Sequence, residues 1–344
     1  PVPCLYNTLQ HQPQALINRV VGLDHDQQLE DECDKIRDAL QNPYDNISLD
    51  LQLTCMSSVI NQDDIIYQVE KILELKDIEP DQREPMIDAI IAEISGLCKL
   101  GVFSLEVIPD NQKPLSTRFV LKIKRKADGS YDKHKARLVV RGFLAKLGVD
   151  FYATYSPMSS LITARTLMSI AVHNGLPIHH ADIAQAFVQA KLDRSIFCSF
   201  PKGVDVSAKL IDHLQSKHPN SKIGIRLLKS LYGLKNAPLY WSIMLNEHLC
   251  GLGFERSKSD TCLYVHRNEE SGKWCAIAVF VDDLLVTGTD TDKISELREY
   301  LSTTFQGNGA WEENINSFLG MNIFYDQVNG ILKMDIASKI DDLF

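Results

Sequence analysis

Two apolar runs constrain this chain most: CAIAVFV at 275–281 and LLVTG at 284–288, separated only by Asp282 and Asp283. Short apolar runs of this length, rich in β-branched residues, read as strands. Two strands with two residues between them make a tight hairpin, and this one carries two carboxylates at its tip. Asp tolerates the left-handed backbone such a turn can need, so a purely structural turn is one reading. Asn-Gly or Asp-Gly would serve that purpose without like-charge repulsion. Adjacent carboxylates on a rigid hairpin suit a hard divalent cation, Mg²⁺ above all. Asp-Asp also occurs at 63–64 and 341–342, but only the middle pair has strand-forming runs on both sides.

Phosphoryl transfer by two metal ions held ~3.5–4 Å apart needs a further carboxylate from elsewhere in the chain. Asp182 is the candidate: in LPIHHADIAQAFVQA it ends an apolar strand, and Phe187 follows five residues on. Many surface Asp residues also end strands, so the position alone does not make Asp182 a ligand.

The net charge of −9 argues at first against a nucleic-acid partner. Its distribution reverses that: residues 113–146 hold eleven Lys/Arg against two Asp, whereas residues 1–100 hold nineteen Asp/Glu against seven Lys/Arg. The basic block is either a phosphate-binding footprint or a solvated basic face. It lies on RFVLKIKRK and YDKHKARLVVRGF, two strands joined by the turn Ala127-Asp128-Gly129-Ser130, whose Asp-Gly is a hairpin signal. Upstream, Glu84-Pro85 reads as a helix start that puts Met86, Ile90, Ile94 and Leu97 on one face.

Further helices are expected at 161–174, at 229–252 around and after the Tyr232-Gly233 loop, and at 291–304. Short strands are expected at SFLGMNIF and GILKMDI. Residues 1–80 read as an acidic extension or linker with some helix around 65–75 and no recognisable chemistry. The eight cysteines form no C-x-x-C and read as reduced, buried thiols. No stretch approaches the ~18 uncharged apolar residues of a membrane span, so no membrane is expected as partner. The first residues lack the pattern of a signal peptide.

FVDDLLVTGTD resembles the YVDD hairpin of reverse transcriptases of Ty1/copia-type LTR retrotransposons. Four other blocks stand in that family's order. KIKRKADGSYDKHKARLVVRGF is similar to its fingers hairpin, and IHHADIAQAFVQAKL to the strand bearing its first catalytic Asp. LLKSLYGLKNAPLYW is similar to its S-L-Y-G-L-K-Q-A-P block. SFLGMNIF is similar to its F-L-G-I segment, and GILKMDIASKIDDLF to the stretch C-terminal to that segment. The resemblance spans about residues 81–344 and implies an α+β right-hand polymerase, its antiparallel palm sheet backed by helices. Fingers and palm would occupy 81–325, and the start of a connection or thumb 326–344. A Pol polyprotein fragment of this kind would be an RNA-directed DNA polymerase, transferring nucleotides from dNTPs to a primer 3′-hydroxyl on an RNA or DNA template. It would work in a cytoplasmic retroelement particle or in the nucleus.

By the same resemblance, Asp182, Asp282 and Asp283 are the catalytic, metal-binding carboxylates for two Mg²⁺ ions, with Mn²⁺ as a substitute. Asp182 and Asp282 lead; Asp283 is secondary, since adjacent residues point apart. Arg137, with Lys124 or Lys126, matches the fingers cations on the triphosphate, and Phe187 the aromatic gate beneath the sugar. Tyr232 and Gly233 match the floor of the nucleotide pocket, with Lys235 reaching phosphate. Phe318, Leu319 and Gly320 match the primer-gripping hairpin. Two positions depart: Phe280 stands for the usual Tyr of YVDD, and Asn236 for the usual Gln. With most of the thumb and the ribonuclease H domain outside this sequence, processive synthesis by this stretch alone is not expected. An inactive nucleic-acid-binding remnant of a retroelement is the alternative reading.

Overall fold

A computed structural model describes residues 75, 78–125, 130–202, 216, 218–305 and 309–336. The turn expected at 127–130 (apart from Ser130), Lys126, the helix expected around 65–75 (apart from Leu75), Asp63-Asp64 and Asp341-Asp342 lie outside them.

The principal element is a six-stranded sheet built around the hairpin of β9 (Trp274–Phe280) and β10 (Asp283–Gly288). β4 (His179–Asp182) pairs with the free edge of β10, and β11 (Ala310–Glu312) with β4. On the other side lie β8 (Leu263–Arg267) and the two-residue β7 (Glu255–Arg256). Every pairing is antiparallel.

Alternation along β9 explains why this strand is apolar at every position. Cys275, Ile277 and Val279 pack with Trp241, Leu245 and Leu249 of α4 (Ala237–Gly251) and Ile294, Leu297 and Leu301 of α5 (Thr291–Thr304). Ala276, Ala278 and Phe280 pack with Ala164, Leu167, Met168 and Ala171 of α2 (Leu161–His173). Both faces are therefore covered, and neither can be polar. Ile277, Leu284, Leu285 and Val286 are fully buried, each worth about 1.5–3 kcal/mol.

A second body of structure surrounds α1 (Pro80–Lys99). The hairpin of β2 (Thr117–Arg125) and β3 (Tyr131–Val140) packs against it, as does a three-stranded sheet of β1 (Phe103–Val107), β6 (Ile223–Lys229) and β5 (Lys191–Cys198). The expected face of α1 is the buried one: Met86, Ile90, Ile94 and Leu97. Its start differs. The helix begins at Pro80, which already fills the position proline favours, so Pro85 lies inside and has no N–H to give Asp81. Glu93, midway along α1, accepts a hydrogen bond from Leu138 N at 3.1 Å and so satisfies part of the outer edge of β3.

Two other expectations are corrected. The helix expected over 229–252 starts only at Ala237, because β6 runs to Lys229 and a turn at Tyr232-Gly233 intervenes. SFLGMNIF is not one strand but a hairpin. β12 (Ser317–Phe318) and β13 (Met321–Asp326) are joined by Leu319 at φ 52° and Gly320 at φ 72°, and β14 (Ile331–Asp335) completes the sheet. Tyr325 ties this sheet to the segment before β4 by donating to the Leu176 carbonyl at 2.7 Å.

Candidate active site

Sheet register brings the three singled-out carboxylates together. Asp182 at the end of β4 stands directly across from Asp283 at the start of β10. The turn itself is one residue earlier than expected: Phe280 pairs with Asp283, so the loop is Val281-Asp282 and Asp283 is already strand. Val281 sits at φ 62°, a left-handed backbone that a β-branched residue rarely accepts and that is normally left to Gly in this kind of turn. Two hydrogen bonds hold it. Trp241 donates its indole N–H to the Val281 carbonyl at 2.5 Å, and Ile183 N donates to the Asp282 carbonyl at 2.9 Å. Strain of this sort persists only where the surroundings over-determine it.

The carboxylates repel one another. Partial desolvation and then the charge of Asp283 raise the Asp182 pKa, although Asp182 keeps an exposed edge. Burial, with Asp283 and Asp182 adding to it, raises that of Asp282. Lys124, Lys135 and Arg137 of the basic hairpin oppose these shifts without cancelling them. Asp283 is engaged differently: its Oδ1 pairs with His180 Nε2 at 2.9 Å. Burial alone would lower the His180 pKa, but the hydrogen bond and charge of Asp283, then Glu312 and Asp182, carry it above the ordinary imidazole value.

Among the described residues, no three His, Cys, Asp or Glu side chains are gathered closely enough to cage a metal ion on their own. One Asp283 oxygen is taken by His180. The remaining donor set still fits Mg²⁺, which in phosphoryl-transfer sites typically takes one or two carboxylates and completes its shell with substrate phosphates and water. Asp182 and Asp282 are two hard oxygen donors whose mutual charge a cation would relieve.

Tyr232 organises the neighbouring surface. The Arg137 guanidinium lies over its ring, 5.0 Å from the centroid, and Phe187 of the short α3 (Ala186–Gln189) meets it edge-on at 6.0 Å. Burial pushes the Tyr232 phenol up to about 12. Val140 N donates to the Tyr232 carbonyl at 2.8 Å, which docks the end of β3 on this turn. The contact admits no side chains: a Cβ on Gly233 would lie 2.1 Å from the Val140 carbonyl oxygen, and one on Gly142 would lie 1.9 Å from the Gly233 carbonyl oxygen. Gly233 is also at φ 88°, so glycine is required twice over. Arg137, Phe187, Tyr232 and Gly233 are thus brought into one place, and Lys124 is near enough to act on Asp182.

Lys235 is otherwise occupied, with its ammonium 4.9 Å from the Phe151 ring centroid and 3.5 Å from the Ala145 carbonyl. Phe318 is only 1% exposed and packs edge-on against Phe280 at 5.2 Å, so its ring is core; Leu319 and Gly320 form the turn beside it. The phenolic oxygen that Phe280 lacks would have had to be accommodated in this buried contact. Asn236, the other departure, is buried and donates to the Tyr240 hydroxyl at 3.0 Å, and Tyr240 in turn donates to Asp193. Sequence reading missed Trp241 and His180; a Trp in a helix and a His in an apolar strand both pass for core.

A strained turn thus presents carboxylates beside a basic, aromatic-floored surface. The chain belongs to the reverse transcriptase (RNA-dependent DNA polymerase) family, whose model matches residues 101–343. It is 32% identical over 224 residues to the retrovirus-related Pol polyprotein from transposon TNT 1-94 of Nicotiana tabacum, covering 65% of this chain and 16% of that one. Against the corresponding polyprotein of transposon RE1 from Arabidopsis thaliana it is 32% identical over 213 residues, 62% of this chain and 14% of the relative. The Ty1-GR3 Gag-Pol polyprotein of Saccharomyces cerevisiae is 26% identical over 271 residues, 75% and 14% respectively. The chain therefore spans about a sixth or less of these relatives' length. A solved telomerase from Candida albicans, in complex with a fragment of telomeric RNA, is 10% identical. The likeness covers 73% of this chain and 51% of that one at a TM-score of 0.35.

Proposed function

We propose that this chain is the fingers and palm of an RNA-directed DNA polymerase of the Ty1/copia type, joining a dNTP to a primer 3′-hydroxyl with loss of pyrophosphate. The six-stranded sheet is the palm and the β2–β3 hairpin belongs to the fingers. The pairing of Asp182 with Asp283, which sets Asp182 beside the hairpin turn that carries Asp282, is the observation that carries this reading.

Asp182 and Asp282 would hold Mg²⁺, with Mn²⁺ as a substitute. Bound metal would supply charge neutralisation at the phosphates and a more acidic primer hydroxyl. Arg137, steadied on Tyr232, offers a fixed cation to a triphosphate. Phe187 and Tyr232 form the aromatic floor on which the sugar and base would rest, with Phe187 crowding a 2′-hydroxyl. The basic hairpin would hold the template–primer through phosphate contacts, which carry no sequence preference. The proposed setting is a cytoplasmic retroelement particle or the nucleus.

Primer extension on an RNA template with Mg²⁺ and dNTPs tests this reading. Extension by the parent and none by Asp282→Asn is expected. Equal extension by both overturns it, and salt-sensitive template binding with no extension by a longer polyprotein segment favours an inactive binding remnant.

A further inference from the structure

His180 has no part in the polymerase reading, although its ring is hydrogen-bonded to one of that reading's carboxylates. It shares a sheet face with Asp182, two residues along β4, and lies diagonal to Asp283 across the β4–β10 pair. Its side chain is 10% exposed, against 30% for Asp283. Three groups fix the imidazole. Nε2 meets Asp283 Oδ1 at 2.9 Å, Phe318 abuts the ring edge-on at 5.9 Å, and Nδ1 faces Glu312 Oε2 at 3.7 Å. The last distance is too long for a hydrogen bond, and both of those atoms are buried without a partner. A ring held this way allows its partner carboxylate little freedom.

We propose that His180 is a positioning residue that holds Asp283 away from the cation site, leaving Asp182 and Asp282 as the ligands; this rests on the polymerase reading. Two carboxylates facing each other across a strand pair, with a third beside them, would otherwise compete for one cation and repel one another in its absence. His180 takes up one of them. Groups that orient a metal's surroundings in this way tune its affinity by about 10–100-fold. Removing the His180 donor therefore releases a further carboxylate toward the cation, and binding of the bare ion tightens.

The test measures Mn²⁺ binding to the whole chain without nucleotide or nucleic acid, following free Mn²⁺ by electron paramagnetic resonance. Asp182→Asn and Asp282→Asn should each weaken binding by about tenfold or more, and Asp283→Asn by less than about twofold. His180→Leu should tighten it several-fold, and adding Asp283→Asn should cancel that gain. His180→Gln, whose amide can still donate to Asp283, should match the parent. Asp283→Asn weakening binding as much as Asp282→Asn overturns the proposal, as does unchanged binding in His180→Leu with a parent-like thermal melt. If His180→Leu does not fold, Asp283→Asn against Asp282→Asn decides alone. Binding unmoved by both Asp182→Asn and Asp282→Asn is a different failure, that of the polymerase metal site itself.

Discussion

Replacing Trp241 with Phe removes one hydrogen bond from the Val281-Asp282 turn and little else. The indole is 1% exposed, donates to the Val281 carbonyl at 2.5 Å and meets Phe305 edge-on at 5.4 Å. A phenyl ring keeps most of that aromatic contact. The lost donor leaves a part-buried carbonyl unpaired, at about 1–3 kcal/mol, and the smaller ring leaves a void worth about 1 kcal/mol more. A loss of roughly 2–4 kcal/mol lowers the melting temperature of a body this size by roughly 5–12 °C. Function should suffer separately. Val281 at φ 62° costs about 1–2 kcal/mol in that backbone, so an untethered turn relaxes and carries Asp282 with it. A displacement near 1 Å costs about a hundredfold in rate. Thermal unfolding and single-turnover extension of an RNA-templated primer measure the two effects. A lower melting temperature with an unchanged rate would refute the tether and leave Trp241 as packing alone.

Gly233→Ala should separate the β3 end from the Tyr232 turn, because its Cβ would lie 2.1 Å from the Val140 carbonyl oxygen. Destabilisation of about 2 kcal/mol or more and a raised KM for dNTP are expected, read by denaturant titration and steady-state kinetics; parent-like values would count against that docking. Asp260 accepts from Ser159, Ser160 N, Thr163 and Cys262 N at the start of α2. Burial would raise its pKa, but those hydrogen bonds, that of Thr163 foremost, hold it below the ordinary value. Its stabilisation is full above the unfolded pKa of about 3.9 and is lost as pH falls through the folded one. Asp260→Asn should thus cost about 2–3 kcal/mol at pH 7, and its gap from the parent in urea melts should narrow below about pH 4; a gap independent of pH would contradict this. Phe187→Ala should raise incorporation of rNTPs relative to dNTPs in competition assays, and unchanged sugar selectivity would remove the gate role.

The strands, helices and carboxylates around the hairpin were legible because their signals are local. Apolar runs of strand length flank the pair, and α5 begins at Thr291 behind the cap Asp290, whose side chain accepts from Lys293 N. Tertiary contacts decided the rest. Nothing in VDD says that Val281, not an Asp, takes the left-handed position; Trp241, forty residues upstream, holds it there. Phe318 sits in a motif that suggests a primer contact, yet its ring fills the space beside Phe280 and His180. Pro85 looked like a helix start because proline favours that position, but Pro80 occupies it. Asp283 has the same residue type as Asp282, and only strand register shows that His180 lies within its reach.

Single-turnover incorporation of one dNTP on an RNA-templated primer with Mg²⁺, run for the three carboxylates separately, tests the central claim most directly. Asp182→Asn and Asp282→Asn should each slow the step by about a thousandfold, the several kcal/mol that a lost metal ligand represents, with Asp283→Asn slowed far less. Incorporation by Asp182→Asn at the parent rate, or an Asp283→Asn defect equal to that of Asp282→Asn, would contradict the account.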